Sequence, residues 1–159
     1  MSSADLLGKR GEATVERELL SLFGGSTYLF DPWFLDGKFP TFDLLVQLVG
    51  SQTIDAFFFA QVKTTRQGVR PRSRTLPVNL DRSRVTAALR CPVPSDLLVV
   101  DDLAERVYLT AIDGRLAVGA RRVPTTRPLN AANARRLWNE VELFWKGVRP
   151  RRARSHFSI

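Results

Sequence analysis

The spacing of apolar residues predicts a helix at the start of the chain. Between Asp5 and Phe23, Val15 and Leu19 fall on one face at helical spacing, and Gly24-Gly25 ends the segment. Glu12 projects between these apolar positions. Burying an unpaired charge is costly, so an acid in this position is expected either to be paired or to bind a cation.

Alternating patterns predict three strands after this helix. Residues 26–30 predict the first strand, and residues 33–40 predict a loop. Residues 42–48 and 56–63 are apolar on both faces, which is typical of a central sheet covered on both sides. If their turn is centred near Gln52, Asp43 lies opposite Gln61, and Lys63 follows two positions along on the same face. A slip of one residue would separate them.

The second half of the chain alternates short strands with two more helices. Residues 66–76 predict a loop, and Asp81 is an N-cap for a helix that ends near Leu89. Residues 96–101, 106–112 and 116–118 predict strands, and a last helix starts at Asn130. Its Trp138 and Trp145 are spaced for a packing face or a dimer contact. We expect one domain over residues 1–148 and a basic, flexible tail over 149–159.

Composition excludes several classes of protein. The chain has 159 residues, 44% of them hydrophobic, which suits one α/β domain with a real core. No apolar run approaches the roughly 20 residues that span a bilayer, and no secretory leader is visible, so a cytoplasmic location and no membrane partner are expected. With only Cys91 and His156, one chain cannot build a Cys/His zinc site. Oxygen ligands would favour Mg²⁺ or Mn²⁺.

The charge distribution favours a nucleic-acid partner. The net charge is +8, and its bland explanation is solubility together with an arginine-rich genome. The arginines are nevertheless clustered, directly after Lys63 and at the end of the chain: Arg66, Arg70, Arg72, Arg74, Arg149, Arg151, Arg152 and Arg154. The guanidinium fork of arginine suits phosphate recognition.

Five groups on the first helix and the central strands could perform phosphodiester hydrolysis. A divalent cation activates water and offsets phosphate charge, and it needs a few fixed oxygens. Asp43 offers a carboxylate, Gln61 an amide oxygen, and Val62 a backbone carbonyl, while Glu12 could complete the shell. Lys63 could orient water or neutralise the transition state.

Each group also has a purely structural interpretation. Glu12 could pair with Lys9 or Lys63, and Asp43 could bind backbone amides. Gln61 could be a satisfied polar group inside the sheet, and Lys63 could extend its ammonium to solvent.

The run Gly8-Lys9-Arg10-Gly11-Glu12, followed by Asp43 and Gln61-Val62-Lys63, resembles the PD-(D/E)XK nuclease superfamily. It is most similar to bacterial domains of that group with the same Gly-Glu, Asp and Gln-x-Lys pattern, and more distantly to Mrr-type endonucleases and Holliday-junction resolvases. The resemblance implies an αβββαβ restriction-endonuclease-like core, with a central mixed sheet flanked by helices, and metal-dependent cleavage.

By the same resemblance, Glu12, Asp43 and Gln61 surround the metal and Lys63 is the catalytic lysine. The chain departs from the family pattern at Gln61, which replaces an acid, and at Pro40, which is displaced from the aspartate. The last helix and the tail lie outside the resemblance.

The expected substrate is DNA rather than RNA. Contacts to nucleic acid are predicted from residues beside the proposed centre: Lys9, Arg10, Thr64, Arg66, Arg70, Arg72 and Arg74. Trp33 and Phe34 could stack on an unpaired base or could cover the core. A homodimer would provide a way to cut both strands. The competing functions are an inactive nucleic-acid-binding module and a ribonuclease toxin.

Overall fold

The computed structural model describes residues 2–36, 39–116, 121–147 and 155–159 and contains both helices and strands. The elements in chain order are α1 (Ser3–Leu19), β1 (Phe30–Phe34), β2 (Leu44–Leu48), β3 (Phe57–Thr65), β4 (Thr75–Pro77), α2 (Arg82–Leu89), β5 (Ser95–Asp101), β6 (Arg106–Ala111), β7 (Arg122–Pro124) and α3 (Ala131–Trp145). Among the described residues, none of the helices combines the length and apolar composition that crossing a bilayer requires.

The main sheet is mixed and has five strands in the order β1-β2-β3-β5-β6. Strands β1, β2 and β3 form an antiparallel meander, β5 runs parallel to β3, and β6 is antiparallel to β5. Leu44 lies opposite Ala60 and Leu45 opposite Phe59, which is the register expected for a turn centred near Gln52. The predicted α/β class with a central mixed sheet is confirmed.

Both faces of this sheet are covered. On one face, α1 and α3 pack their apolar residues, including Val15 and Leu137, against Phe58 and Leu98. On the other face, α2 and a small β4–β7 sheet pack against a second cluster of buried residues: Phe42, Leu76, Val85, Leu97, Val99 and Val123. The two apolar faces of β3 and β5 follow from this double cover.

The N-terminal elements begin and end at different residues from those predicted. Helix α1 starts with a capping box between Ser2 and Asp5, and it ends at Leu19, before the predicted Phe23. Strand β1 lies at 30–34 rather than 26–30, although Pro32 is inside it. Proline is tolerated there because β1 is an edge strand of the sheet and need not donate a hydrogen bond on its outer side.

The second half follows the prediction more closely. Asp81 and Asn130 cap α2 and α3 as expected, because each side chain accepts a backbone N–H of the first turn. The indole N–H of Trp138 donates to the carbonyl of Val49 at 3.1 Å, and that of Trp145 donates to Phe57 at 2.7 Å. Both tryptophans therefore fasten α3 to its own sheet.

Two short strands were not predicted. β4 lies where a loop was expected, and it pairs with β7, so that Leu76 is opposite Val123. Both of these side chains are fully buried. The predicted strand at 116–118 is not found at Leu116, and residues 117–118 lie outside the described residues.

The end of the chain is part of the fold. Phe157 is fully buried in the α1–α3 core, and its carbonyl accepts the N–H of Ala111 at 3.0 Å. Glu140 accepts the Ser155 hydroxyl at 2.7 Å and the His156 N–H at 2.6 Å. Residues 155–159, part of the segment predicted as a flexible tail, therefore pack against the domain, and residues 148–154 lie outside the described part of the chain.

Candidate active site

Helix α1 touches the sheet at Gly11. A Cβ placed on Gly11 would lie 1.7 Å from Oγ1 of Thr64 on β3, so only glycine permits this approach. Gly8, on the same helix, has open space where its Cβ would lie. The residue after Gly11, Glu12, lies within electrostatic range of Asp43, which directly precedes β2.

Asp43 lies where β2 separates from β3. Its backbone N–H donates to the carbonyl of Ala60 at 3.0 Å. One step further along β3, the N–H of Val62 donates to Asp43 Oδ2 at 2.7 Å. A side-chain carboxylate thus takes the place of a backbone acceptor in the ladder, which fixes the orientation of Asp43. Its second oxygen, Oδ1, accepts no hydrogen bond from a described residue.

Glu12 is partly buried and forms neither a hydrogen bond nor an ion pair with any described residue. The expected structural partners, Lys9 and Lys63, therefore form no ion pair with it, although the charge of Lys9 acts to lower the pKa of Glu12. Burial raises the pKa of Glu12 above its usual value, and the nearby charge of Asp43 raises it further. Two carboxylates that repel each other in this way are an arrangement that a bound cation would relieve.

Lys63 is also partly buried and forms no ion pair within the described part of the chain. Burial lowers the pKa of Lys63, and the neighbouring Arg84 lowers it too, while Asp43 and Asp81 act in the opposite direction. Arg84 and Asp81 belong to the start of α2, and sequence reasoning did not assign them to the site.

Gln61 is buried, with 1% of its surface exposed. Neither its amide nitrogen nor its amide oxygen has a hydrogen-bond partner among the described residues. The interpretation of Gln61 as a satisfied core residue is therefore wrong. It lies beside Leu97 of β5, on the face of the sheet that α2 covers. An unpartnered buried amide costs about 1–3 kcal/mol.

The predicted residues do not all meet on one face. Helix α1 carries Glu12 over the α1–α3 face, whereas alternation along β3 directs Gln61 and Lys63 toward the α2 face. Asp43 connects the two sides, because its charge acts on the pKa of both Glu12 and Lys63. Asp43 can act on both because it lies where β2 and β3 separate. Electrostatic interaction thus couples Glu12 to Asp43 and Asp43 to Lys63, while Gln61 is enclosed.

The available donors fit a hard cation that keeps several waters. The described residues hold no group of three or more His, Cys, Asp or Glu side chains arranged for a metal ion. Glu12 and Asp43 together provide two carboxylates, one of them with an oxygen free of protein hydrogen bonds. Mg²⁺ is usually bound by one or two carboxylates together with substrate phosphate and water, and this limited donor set matches that mode.

The predicted nucleic-acid contacts divide into three groups. Arg10 and Arg66 both bind Asp102, at 2.9 and 3.0 Å, so their charges are already partly neutralised. The Thr64 hydroxyl is buried against Gly11, which contradicts the predicted phosphate contact. Four cationic side chains are exposed as expected: Lys9, Arg70, Arg72 and Arg74.

The two aromatic residues at the end of β1, Trp33 and Phe34, are exposed rather than covering the core. Trp33 is 57% and Phe34 36% accessible, and they lie opposite Leu45 and Leu44, next to Asp43. The stacking alternative is therefore the one that their positions favour.

Comparison of the chain with models of protein families, with curated proteins and with solved structures finds no match.

Proposed function

We propose that this protein is a divalent-metal-dependent nuclease that hydrolyses phosphodiester bonds, with DNA as the favoured substrate. The observation that carries the proposal is a pair of carboxylates, Glu12 and Asp43, whose charges act on each other and neither of which forms an ion pair with a described residue. Lys63 lies within the electrostatic range of the same Asp43. Acids that need a cation, next to a partly buried lysine, are the groups that metal-assisted phosphate hydrolysis requires.

The arrangement of elements supports the assignment to the PD-(D/E)XK superfamily. Helix α1, the antiparallel strands β1–β3, helix α2 and the parallel strand β5 follow one another in the order αβββαβ, interrupted only by the short β4. The Asp43 carboxylate lies directly before β2, and the Gln-x-Lys run is on β3.

In the proposed mechanism, each residue has a distinct role. When bound, Mg²⁺ or Mn²⁺ would lower the pKa of a coordinated water and offset charge on the phosphate. Glu12 and Asp43 would hold the cation, and the N–H of Val62 keeps the Asp43 carboxylate in a fixed orientation. The ammonium of Lys63 would stabilise negative charge that develops on the phosphate. Gln61 and the Val62 carbonyl remain predicted ligands that would have to become accessible.

A second function is favoured by the enclosure of Gln61. If the third ligand stays buried, the fold would bind nucleic acid without cutting it. The exposed arginines would be sufficient for such a module, because phosphate contacts alone support binding.

Cleavage assays on supercoiled plasmid, linear duplex and RNA, with Mg²⁺, Mn²⁺ or EDTA, test the proposal. We expect cleavage that EDTA abolishes. Asp43→Asn can still accept the Val62 N–H but loses the charge, and it should lose roughly a hundredfold or more in rate. Asp55→Asn is the matched control, because Asp55 is an exposed turn residue with φ of 59°, which asparagine also tolerates.

The outcomes separate the three functions. Tight duplex binding without cleavage in either metal would establish the inactive module instead. Cleavage confined to RNA would establish the ribonuclease. Equal loss of rate in Asp43→Asn and Asp55→Asn would remove Asp43 from the site.

A further inference from the structure

Two stretches of the chain without any acidic residue come together in the fold. Residues 56–80 and 114–139 contain no Asp or Glu. The structure pairs them as the antiparallel strands β4 and β7. We name this two-stranded sheet and its turn, residues 69–78 and 121–125, the arginine ribbon. Five arginines of the ribbon are exposed: Arg70, Arg72, Arg74, Arg121 and Arg122.

The arginine ribbon is anchored by its apolar side. Leu76 and Val123 oppose each other and are fully buried in the α2-side core. Alternation then directs the neighbouring pair, Pro77 and Arg122, outward. None of the exposed ribbon arginines forms an ion pair with a described residue. Their charge therefore remains available to a partner, unlike that of Arg10 and Arg66.

The backbone that presents these arginines is held in place. The N–H of Arg70 donates to the carbonyl of Thr75, and the N–H of Arg74 donates to the carbonyl of Arg70, both at 2.9 Å. The carbonyl of Arg74 accepts both the N–H and the hydroxyl of Thr125, again at 2.9 Å. Arg74 has a φ of 47°, a conformation that favours glycine, yet the position carries a cation. A fixed turn lowers the entropy lost when its arginines engage a ligand.

We propose that the arginine ribbon is a binding site for the phosphate backbone of double-stranded nucleic acid. Exposed arginines without acidic neighbours match a polyanion. Residues 64–80 and 114–137 contain no Phe, Trp or Tyr, so the ribbon has no surface on which unpaired bases could stack. This absence favours a duplex over a single strand.

The ribbon covers the α2-side face of the main sheet, the face toward which β3 directs Lys63. A duplex lying on the ribbon would therefore be on the same side of the molecule as the proposed catalytic lysine. In this respect the inference deepens the proposed nuclease function and rests on it. Binding to the ribbon itself needs no metal and no cleavage.

The test is a binding titration in EDTA with a fluorescent 20-base-pair duplex and the corresponding single strand, at several salt concentrations. The ribbon variant combines Arg72→Gln, Arg74→Gly and Arg122→Gln. The control variant combines Arg17→Gln, Arg90→Gln and Arg106→Gln, which removes the same charge from exposed positions outside the ribbon. Glycine at position 74 relaxes the left-handed backbone, so loss of the cation does not add strain.

We expect the ribbon variant to bind duplex at least tenfold more weakly at 0.15 M salt, and its slope of log Kd against log salt to fall by about 2 to 3. The control variant should keep most of the wild-type slope. Arg72→Gln alone, at the exposed turn, should lower the slope by about 1, and this single change serves if the triple variant unfolds.

Equal weakening in the ribbon and control variants would overturn the proposal, because net charge alone would then explain binding. Tighter binding of single strand than of duplex would also overturn it. Failure of the nuclease proposal gives a different result, since wild type would then bind duplex through the ribbon and cut nothing in either metal. If wild type cleaves nucleic acid but the ribbon variant binds duplex as tightly as wild type, the nuclease proposal holds and the arginine ribbon is not the binding site.

Discussion

Two ionisable side chains of this protein, Glu12 and Lys63, lie where their charged forms destabilise the fold. Glu12 and Lys63 are both partly buried, both without an ion pair among the described residues, and both shifted in pKa toward their neutral forms by burial. A stable scaffold gains nothing from this arrangement. Groups that bind a cation or a phosphate do gain, because the ligand supplies the missing partner.

For Glu12, metal and pH should act in opposite directions. An acid whose pKa is raised by folding contributes stability below its unfolded-state pKa, and this is lost as pH rises through the folded pKa. In EDTA, the melting temperature of Glu12→Gln should equal that of wild type below about pH 4. At neutral pH it should be higher than that of wild type. At neutral pH, adding Mn²⁺ should raise the melting temperature of wild type more than that of the variant. Thermal denaturation measures both effects, with Glu16→Gln as the control. If Mn²⁺ does not change the melting temperature of wild type, Glu12 is excluded as a ligand.

For Lys63, stability and activity should separate. Because burial and Arg84 lower the pKa of Lys63, the folded state binds its proton less readily than the unfolded chain, and stability rises with pH between the two pKa values. Lys63→Met keeps the apolar length without the charge. It should raise the melting temperature at neutral pH and abolish cleavage. A lower melting temperature would show that the ammonium stabilises the fold.

At the scale of elements, the contact between α1 and β3 decides where the site forms. The helix approaches the strand closely because Gly11 has no side chain, and the approach is directed at Thr64. The residue that follows, Glu12, is thereby held within electrostatic range of Asp43, directly before β2. The glycine thus acts on the site by positioning and has no contact with substrate.

Two glycines of the same helix should respond in opposite ways to alanine. Gly11→Ala would collide with Thr64 and should cost about 1–3 kcal/mol, together with cleavage activity. Gly8→Ala has open space and should stabilise by about 0.5–1 kcal/mol. Urea unfolding measures both. Thr64→Ala should relieve Gly11→Ala only in part, because the Thr64 Cβ would still lie 2.9 Å from the new methyl group. Equal effects at the two glycines would disprove the contact.

At the scale of the whole molecule, the chain end closes the core on the side opposite the arginine ribbon. Phe157 fills the α1–α3 core, and Glu140 holds the two residues before it. Asp96 is buried on this side, and burial raises its pKa well above the usual value, with Glu140 and Asp113 adding to the effect. The nucleic-acid surface and the closing segment therefore belong to different faces.

Removing the Phe157 ring should destabilise the whole domain. Phe157→Ala is expected to cost about 3–5 kcal/mol, since the side chain is fully buried and leaves a cavity. Ile159→Ala, two residues along at a position 46% exposed, should change stability by less than about 0.5 kcal/mol. Chemical denaturation compares the two. Similar small effects would mean that the last five residues are detached in solution.

Local chemistry was sufficient to predict much of the fold and part of the site. The caps Asp81 and Asn130 were predictable because each bonds within its own first turn. The pairing of β2 with β3 was predictable because the turn between them is short and their hydrophobic pattern fixes the register. Glu12 was singled out because an acid among apolar helix positions is costly.

Only the tertiary structure decided which of these groups are open and which are enclosed. The burial of Gln61 and Thr64 depends on α2-side packing and on α1, which are distant in sequence. The arginine ribbon joins residues about fifty positions apart, and the anchoring of Phe157 joins the last residues to β6. The sequence by itself determined local turns, caps and strand patterns, because these depend on neighbouring residues. Long-range contacts decided exposure, because burial depends on every element that packs around a side chain.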